Sequence, residues 1–201
     1  MNVQAVLFDM DGVLVNSTRA WWKAYNKVAE SQKLAAVPYK EFKTRLAGEP
    51  LSHDLQRFTR LTLPKLARMY ERFLLENIQD VRRFPKTLCV LKELKARGVK
   101  LAVVTNSPKA TTYDILKHAA ILDFFDAIIT GEDVAAGKPH PDIINKACSK
   151  LGVKPEDTIT VGDTQNDVKA GKTAGCTVVG IGVEADYTIK DIGGLTALLQ
   201  Q

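Results

Sequence analysis

From residue 85 onwards, the sequence alternates between short apolar runs and longer stretches whose apolar residues recur at helical spacing. Short apolar runs of this kind predict buried strands, and strands that alternate with helices form parallel sheets covered on both faces. A further apolar run predicts a first strand at residues 3–8. The remaining strands are predicted at residues 99–104, 127–129, 158–161 and 177–181, and the tail from residue 187 as a short strand and a closing helix. The sequence therefore predicts an α/β fold with a doubly wound parallel sheet.

Between residues 17 and 84 the strand pattern gives way to helical spacing alone, as in Trp21, Tyr25 and Val28. Breaks divide this segment into about four helices, near residues 36–38, 48–50 and 63–64. A chain of 201 residues is long enough for one α/β domain that carries an inserted module. We therefore expect an α/β core formed by residues 1–16 and 85–201, with residues 17–84 as a helical insertion.

The net charge of +5 is concentrated in this insertion. It carries 14 Lys and Arg against 7 Asp and Glu, whereas the rest of the chain carries 14 against 16. The cations are spread among apolar helical positions, and no nucleic-acid-binding motif accompanies them. We therefore expect no nucleic-acid partner. The excess charge is interpreted either as the solvated outer faces of helices or as a field that attracts small anions.

The sequence also predicts neither a secretory leader nor a membrane span. The first residues lack a basic segment and reach Asp9 before a leader-like apolar run develops. No apolar stretch approaches the roughly 20 residues that a membrane helix needs. Cys89, Cys148 and Cys176 are far apart and are interpreted as buried thiols in a reducing compartment. We expect a cytoplasmic protein without a membrane partner.

Reactive side chains lie at the ends of several predicted strands or in the segments that follow them, where ligands bind in open parallel sheets. These residues are Asp9, Asp11, Thr105, Asn106, Lys138, Asp163 and Asp167. Asp9 and Asp11 lie two apart on an extended chain, so both side chains leave on the same side, with Cα atoms about 6.5 Å apart. Together with Asp163 they would repel one another unless a cation lay between them, and an all-oxygen site favours Mg²⁺.

The remaining polar groups predict an anion beside that cation. Lys138 can neutralise negative charge, and Thr105 stands next to backbone N–H groups at a helix N-terminus, where anions are stabilised. A carboxylate nucleophile that faces Mg²⁺, a lysine and helix amides is suited to phosphoryl transfer.

Four segments resemble, in order, the motifs of the haloacid dehalogenase (HAD) superfamily. They are residues 8–14 (FDMDGVL), 104–107 (VTNS), 137–139 (GKP) and 161–163 (VGD) with Asp167. The insertion falls where this superfamily places its C1 cap, and the pattern is similar to the subgroup of phosphoglycolate phosphatases and β-phosphoglucomutases. The resemblance implies a Rossmann-like core and an Mg²⁺-dependent enzyme.

The resemblance also implies roles for single residues. Asp9 would be the nucleophile that forms an aspartyl-phosphate, and Asp11 the general acid and base. Asp9, the backbone carbonyl of Asp11 and Asp163 would hold Mg²⁺. Thr105 and the Asn106 amide would bind the phosphoryl oxygens.

Three further positions receive supporting roles from the same resemblance. Lys138 would stabilise the charge on the nucleophile and the phosphate. Asp167 would orient Lys138 or a metal-bound water, and Gly12 would allow the tight turn after the catalytic pair.

The expected function is hydrolysis of a small soluble phosphomonoester, of the phosphoglycolate or sugar-phosphate type, by a monomer or weak homodimer. Asp11 favours phosphate chemistry, because dehalogenases of this superfamily lack an acid there. A sugar-phosphate mutase is the enzymatic alternative. The mutase pattern has a histidine, an arginine and an acidic residue at three positions where this chain has Trp21, Glu49 and Gly162, and these differences favour a hydrolase. A phosphorylatable signalling domain is the non-enzymatic alternative.

Within the insertion, Arg45 is the first candidate and Arg19 the second for binding a second anionic group of the substrate. Trp21 and Trp22 are adjacent on a predicted helix and cannot share a face. We therefore expect one to pack in the core of the insertion and the other to be free to line the cleft.

Overall fold

The computed structural model describes residues 3–49, 51–54 and 56–199. Its strands are β1 (Ala5–Phe8), β2 (Val15–Asn16), β3 (Arg82–Arg83), β4 (Lys100–Thr105), β5 (Ala127–Thr130), β6 (Thr158–Gly162), β7 (Thr177–Ile181) and β8 (Tyr187–Ile189). Six of them form one sheet in the order β5-β4-β1-β6-β7-β8, and every neighbouring pair in it is parallel. The predicted α/β fold with a doubly wound parallel sheet is confirmed.

Helices cover both faces of the sheet and fill the insertion. They are α1 (Thr18–Ser31), α2 (Tyr39–Arg45), α3 (Leu51–Asp54), α4 (Leu63–Leu75), α5 (Thr87–Ala96), α6 (Lys109–His118), α7 (Asp142–Leu151), α8 (Gln165–Ala174) and α9 (Gly194–Leu198). Single 3₁₀ turns lie at Ile78–Asp80, Leu122–Phe124, Gly131–Asp133 and Pro155–Asp157.

Alternation of side chains along β1 divides the core into two layers. Val6 and Phe8 pack on the face covered by α5 and α6, whereas Ala5 and Leu7 pack on the face covered by α7 and α8. All four side chains are fully buried. A central strand that is buried on both faces has a continuous apolar sequence. The apolar run at residues 3–8 therefore predicted β1.

The insertion has a hydrophobic core of its own. Tyr25 of α1, Phe42 of α2 and Tyr70 of α4 are buried in it together with Phe58. The chain enters through β2 and returns through β3, which pair antiparallel. This two-residue ladder joins the insertion to the sheet domain, and it was not predicted because two residues show no periodicity.

Most predicted elements match the structure to within a few residues, and one prediction about the cysteines is wrong. Cys148 and Cys176 are buried as expected, but Cys89 is exposed. Cys89 lies on α5 beside the buried Val90, on the side of the helix that faces away from the sheet. Within the described ranges, no helix combines the length and apolar character needed to cross a membrane.

Candidate active site

The carboxyl edge of the sheet brings together most of the predicted site residues. β1 lies between β4 and β6, with Phe8 level with both Val103 and Val161, so the three chains leave the sheet at one edge. A cavity of about 280 Å³ opens there. Eight of the ten predicted residues line it, namely Asp9, Asp11, Gly12, Thr105, Asn106, Lys138, Asp163 and Asp167.

Lys138 is the buried cation of this cavity and is only 4% exposed. Its Nζ donates to Asp9 Oδ1 at 2.6 Å, to Asp167 Oδ1 at 2.5 Å and to the Val104 carbonyl at 3.0 Å. Burial alone would lower the pKa of Lys138, but the ion pairs with Asp167 and Asp9 outweigh it and raise the pKa above its usual value. Lys138 is therefore charged, and it fixes one oxygen of Asp9.

Asn106 positions Lys138 through a pair of reciprocal hydrogen bonds. Its Nδ2 donates to the Lys138 carbonyl at 2.9 Å, and its Oδ1 accepts from the Lys138 backbone N–H at 2.8 Å. The side chain of Asn106 is thus used to hold the loop that carries Lys138. This use of the side chain was not predicted, because it depends on how two distant loops meet.

Asp167 connects Lys138 to the start of α8. Its Oδ2 accepts from the backbone N–H of Thr164 at 3.0 Å and from the hydroxyl of Thr164 at 2.5 Å, which completes a capping box. Both carboxylate oxygens of Asp167 are therefore occupied by protein donors. Asp167 is therefore placed to orient Lys138, and the Asp9 and Asp163 carboxylates keep oxygens that can bind a ligand.

Asp9 and Asp163, together with Asp167 beside them, form a carboxylate cluster that a divalent cation fits. Oxygens of Asp9, Asp163 and Asp167 lie within 4.8 Å of one another. Oδ1 of Asp163 is buried without a hydrogen-bond partner among the described residues. Burial and the nearby carboxylates raise the pKa of Asp163 to about 7, and the same causes raise the pKa of Asp9 against the pull of Lys138. Excess buried negative charge and an unpaired carboxylate oxygen are what a hard cation with oxygen ligands satisfies.

Gly12 is needed at its position for two independent reasons. Its φ is +87°, a left-handed backbone conformation that favours glycine. A Cβ at Gly12 would also overlap the Asp163 carboxylate. The turn after Asp11 can thus approach Asp163 only because no side chain intervenes.

Comparison with known proteins agrees with this geometry. Residues 6–181 match the family described as haloacid dehalogenase-like hydrolase. The chain is 34% identical to a phosphoglycolate phosphatase from Mannheimia succiniciproducens over 94% of this chain and 91% of that protein. It is 28% identical to the pyrophosphatase PpaX from Oceanobacillus iheyensis over 99% and 98% of the two chains. The crystal structure of a HAD phosphatase from Thermococcus onnurineus superposes with a TM-score of 0.76 at 29% identity, with 98% of each chain covered.

The chain belongs to the haloacid dehalogenase-like hydrolase family. It is a HAD-type phosphatase, and the resemblance drawn from its four motifs is confirmed.

In this HAD-type phosphatase, Asp11 is held by three donors outside the predicted set. The hydroxyl of Ser17 and the indole Nε1 of Trp21, the latter at 2.9 Å, donate to Oδ1. The hydroxyl of Ser107 donates to Oδ2 at 2.8 Å. Trp21 is therefore the member of the tryptophan pair that lines the cavity, whereas Trp22 donates to the carbonyl of Val37 at 2.7 Å.

The two arginines predicted to face the cleft do not line it. Arg45 is 75% exposed and lies 3.6 Å from Glu41, one turn earlier on α2. Phe42 and Lys43 occupy the cavity side of α2 instead. Arg19 is exposed on α1 and is also absent from the described cavity lining. The structure thus brings neither arginine to the cavity, because the expectation rested on their distance from chain breaks and not on the rotation of their helices.

Proposed function

We propose that this HAD-type phosphatase is a cytoplasmic, Mg²⁺-dependent enzyme that hydrolyses a small phosphomonoester through an aspartyl-phosphate on Asp9. The observation that carries the proposal is the arrangement at the carboxyl edge of the sheet. There, a charged lysine holds one oxygen of Asp9, and the Asp163 carboxylate and the Thr105 hydroxyl line the same cavity. The relatives named phosphoglycolate phosphatase and pyrophosphatase support a substrate that is a small phosphate compound.

The first half-reaction would use Asp9 and Asp11. Lys138 occupies Oδ1 of Asp9, so Oδ2 is the oxygen available for attack on phosphorus. As the new bond between oxygen and phosphorus forms, the bond to the ester oxygen breaks. The leaving oxygen takes its proton from Asp11, which must be protonated at this stage.

The second half-reaction returns both residues to their starting state. Asp11, now a carboxylate, accepts a proton from water as the water oxygen attacks phosphorus. The bond between phosphorus and Asp9 breaks, and inorganic phosphate leaves. Ser17, Trp21 and Ser107 would hold Asp11 in place for both proton transfers.

The proposed metal site consists of the Asp9 and Asp163 carboxylates with the backbone carbonyl of Asp11. A bound Mg²⁺ would supply positive charge between the nucleophile and the phosphate. Lys138 supplies a second positive charge, and Thr105, which is 2% exposed, offers its hydroxyl to a phosphoryl oxygen. Residues 17–84 would act as a cap that keeps water away from this chemistry.

Asp9→Asn tests the proposal directly. Losing a covalent nucleophile is expected to lower kcat by several orders of magnitude while the circular dichroism spectrum stays unchanged. Phosphate release by the wild-type enzyme is expected to stop in excess chelator and to return with Mg²⁺. An Asp9→Asn variant that keeps more than a few per cent of the wild-type rate would refute the nucleophile, and full activity in chelator would refute the metal.

The phosphate-release assay also separates a phosphatase from the two alternatives, a sugar-phosphate mutase and a signalling domain. A phosphatase releases inorganic phosphate from a monophosphate on every turnover. A mutase would instead convert a sugar monophosphate to its isomer, and a signalling domain would keep its phosphoryl group for minutes without turning over.

A further inference from the structure

The insertion contributes a half-buried acidic side chain, Asp54, to a largely apolar wall of the cavity. Trp21, Phe42, Leu46 and Tyr70 form much of this wall, and Asp54 of α3 lies among them. The phosphoryl group of a bound substrate is expected near Asp9, which belongs to the sheet domain and not to this wall. The wall around Asp54 would therefore face the remainder of the substrate.

Tyr70 of α4 holds the Asp54 side chain in place. The Tyr70 hydroxyl donates to Asp54 Oδ2 at 2.6 Å. Tyr70 is 2% exposed and packs edge-on against Trp21, with ring centroids 5.8 Å apart. The loss of water around Tyr70 and the charge of Asp54 hold the pKa of the phenol well above its usual range, so Tyr70 stays protonated and acts as the donor.

The Asp54 carboxylate is ionised at pH 7, and no lysine or arginine among the described residues lies within ion-pair distance of it. Burial raises its pKa to about 6, which is still below 7. Arg57 lies nearby, but its guanidinium donates to the Ala35 carbonyl at 2.6 Å and to the Tyr25 hydroxyl at 3.3 Å.

Two other charged residues of the insertion line the cavity. Lys43 and Glu49 are both exposed and carry opposite charges. Charges in contact with water are screened far more than a partly buried one. Asp54 is therefore the charge that a group bound against this wall would meet most strongly.

We propose that Asp54 selects phosphate esters that carry a hydroxyl group beyond the phosphate and rejects those that carry a carboxylate. A hydroxyl can donate to the Asp54 carboxylate, whereas a second anion would be placed against a partly desolvated negative charge. The proposal rests on the phosphatase function proposed above and deepens it. It favours polyol or sugar phosphates over phosphoglycolate, although a relative is named for the latter.

The expected size of the preference follows from the hydrogen bond. A hydrogen bond to a charged acceptor that is withdrawn from water contributes about 10–100-fold to binding. Part of that contribution would be absent for an ester of equal length without the hydroxyl. An ester that ends in a carboxylate would lose it and suffer repulsion as well.

Three esters test the proposal, with kcat/KM measured for phosphate release at pH 7. Glycerol 1-phosphate carries hydroxyls, propyl phosphate has the same length without them, and phosphoglycolate ends in a carboxylate. The wild-type enzyme is expected to prefer glycerol 1-phosphate at least about tenfold over each of the others. Preference for phosphoglycolate would overturn the proposal.

Asp54→Asn is the matching variant, since asparagine keeps the shape and still accepts from Tyr70. The ratio of kcat/KM for glycerol 1-phosphate to that for propyl phosphate is expected to fall about 10–100-fold. The ratio for phosphoglycolate to propyl phosphate is expected to rise. Glu30→Gln, which removes an exposed acid on α1, is expected to leave both ratios unchanged. Unchanged ratios in Asp54→Asn would overturn the role of Asp54.

The two proposals fail in different ways. If the wild-type enzyme releases phosphate neither from the three esters nor from an activated aryl phosphate, the phosphatase function itself fails. If it releases phosphate and Asp9→Asn does not, but the preference for hydroxyls is absent, only the role of Asp54 fails. If Asp54→Asn does not fold, the order in which the wild-type enzyme prefers the three esters still tests the proposed selectivity.

Discussion

At the scale of single residues, the candidate catalytic side chains are positioned by hydrogen bonds and ion pairs from neighbouring side chains. Asn106 and Asp167 hold Lys138, and Lys138 in turn holds Asp9. Trp21 holds Asp11 from the side of the insertion. Preorganised polar contacts of this kind let charge develop during reaction without reorientation of the protein. Residues that touch no reacting atom are therefore expected to affect the rate.

Trp21→Phe tests this expectation for Asp11. Phenylalanine keeps a ring against Tyr70 but removes the N–H that donates to Asp11. An alkyl phosphate needs a well-placed proton on its leaving oxygen, so its kcat is expected to fall about 3–30-fold. An aryl phosphate needs that proton much less, and its phosphorylation step is expected to be less affected.

Trp22→Phe is the matched control on the same helix. It removes an indole that donates to the Val37 carbonyl and is not among the described residues of the cavity lining. Single-turnover kinetics with both esters would measure the difference. An equal loss for both variants and both esters would show that the tryptophans act only through folding of the insertion.

At the scale of elements, α3 and α4 bring a carboxylate and a phenol together at a cost in stability. Folded Asp54 has a pKa of about 6, raised chiefly by burial, and His53, Arg57, Glu49 and Tyr70 are the other charged or titratable groups that act on it. Because the folded chain binds this proton more tightly than the unfolded chain, the ionised carboxylate destabilises the fold above that pH.

Asp54→Asn is therefore expected to increase the free energy of unfolding at pH 7 by about 1–3 kcal/mol. The gain is expected to shrink as the pH falls through about 6 and to be small near pH 4, where the folded carboxyl is protonated and the unfolded one is about half protonated. Urea unfolding at several pH values would measure it, with Glu30→Gln as control. A variant less stable than the wild type at pH 7 would show that the charged bond from Tyr70 outweighs the cost of burial.

The elements themselves could largely be predicted from the sequence. β1 and β4 are buried on both faces, and β6 ends at the proposed metal site. Each of the three is therefore an apolar run followed by a reactive residue. The β2–β3 ladder was missed because two-residue strands leave no pattern. Arg45 was misplaced because its position in the sequence does not show how α2 is rotated against the cavity.

At the scale of the whole molecule, the carboxyl edge of the sheet and the insertion together line the candidate active-site cavity. The candidate site residues could be predicted because they lie on segments that follow strands, and parallel strands deliver such segments to the same edge. The contacts across the cavity could not be predicted in this way. Trp21 reaches Asp11, and Asn166 donates to Glu49 at 3.5 Å, only because the insertion packs against the core in this orientation.

The central claim is that phosphate passes through a covalent bond to Asp9, and Asp11→Asn offers the most direct measurement of it. An aryl phosphate barely needs a proton on its leaving group, so this variant is expected to become phosphorylated. It lacks the base for hydrolysis, worth about 10²–10⁴-fold, and is expected to accumulate the intermediate.

Intact-protein mass spectrometry after an acid quench is expected to show the mass of one added phosphoryl group, and peptide mapping to place it on Asp9. The Asp9→Asn, Asp11→Asn double variant is the control and is expected to show no added mass. Turnover by the wild-type enzyme together with an unmodified Asp11→Asn variant, or a phosphoryl group on any residue other than Asp9, would contradict the account.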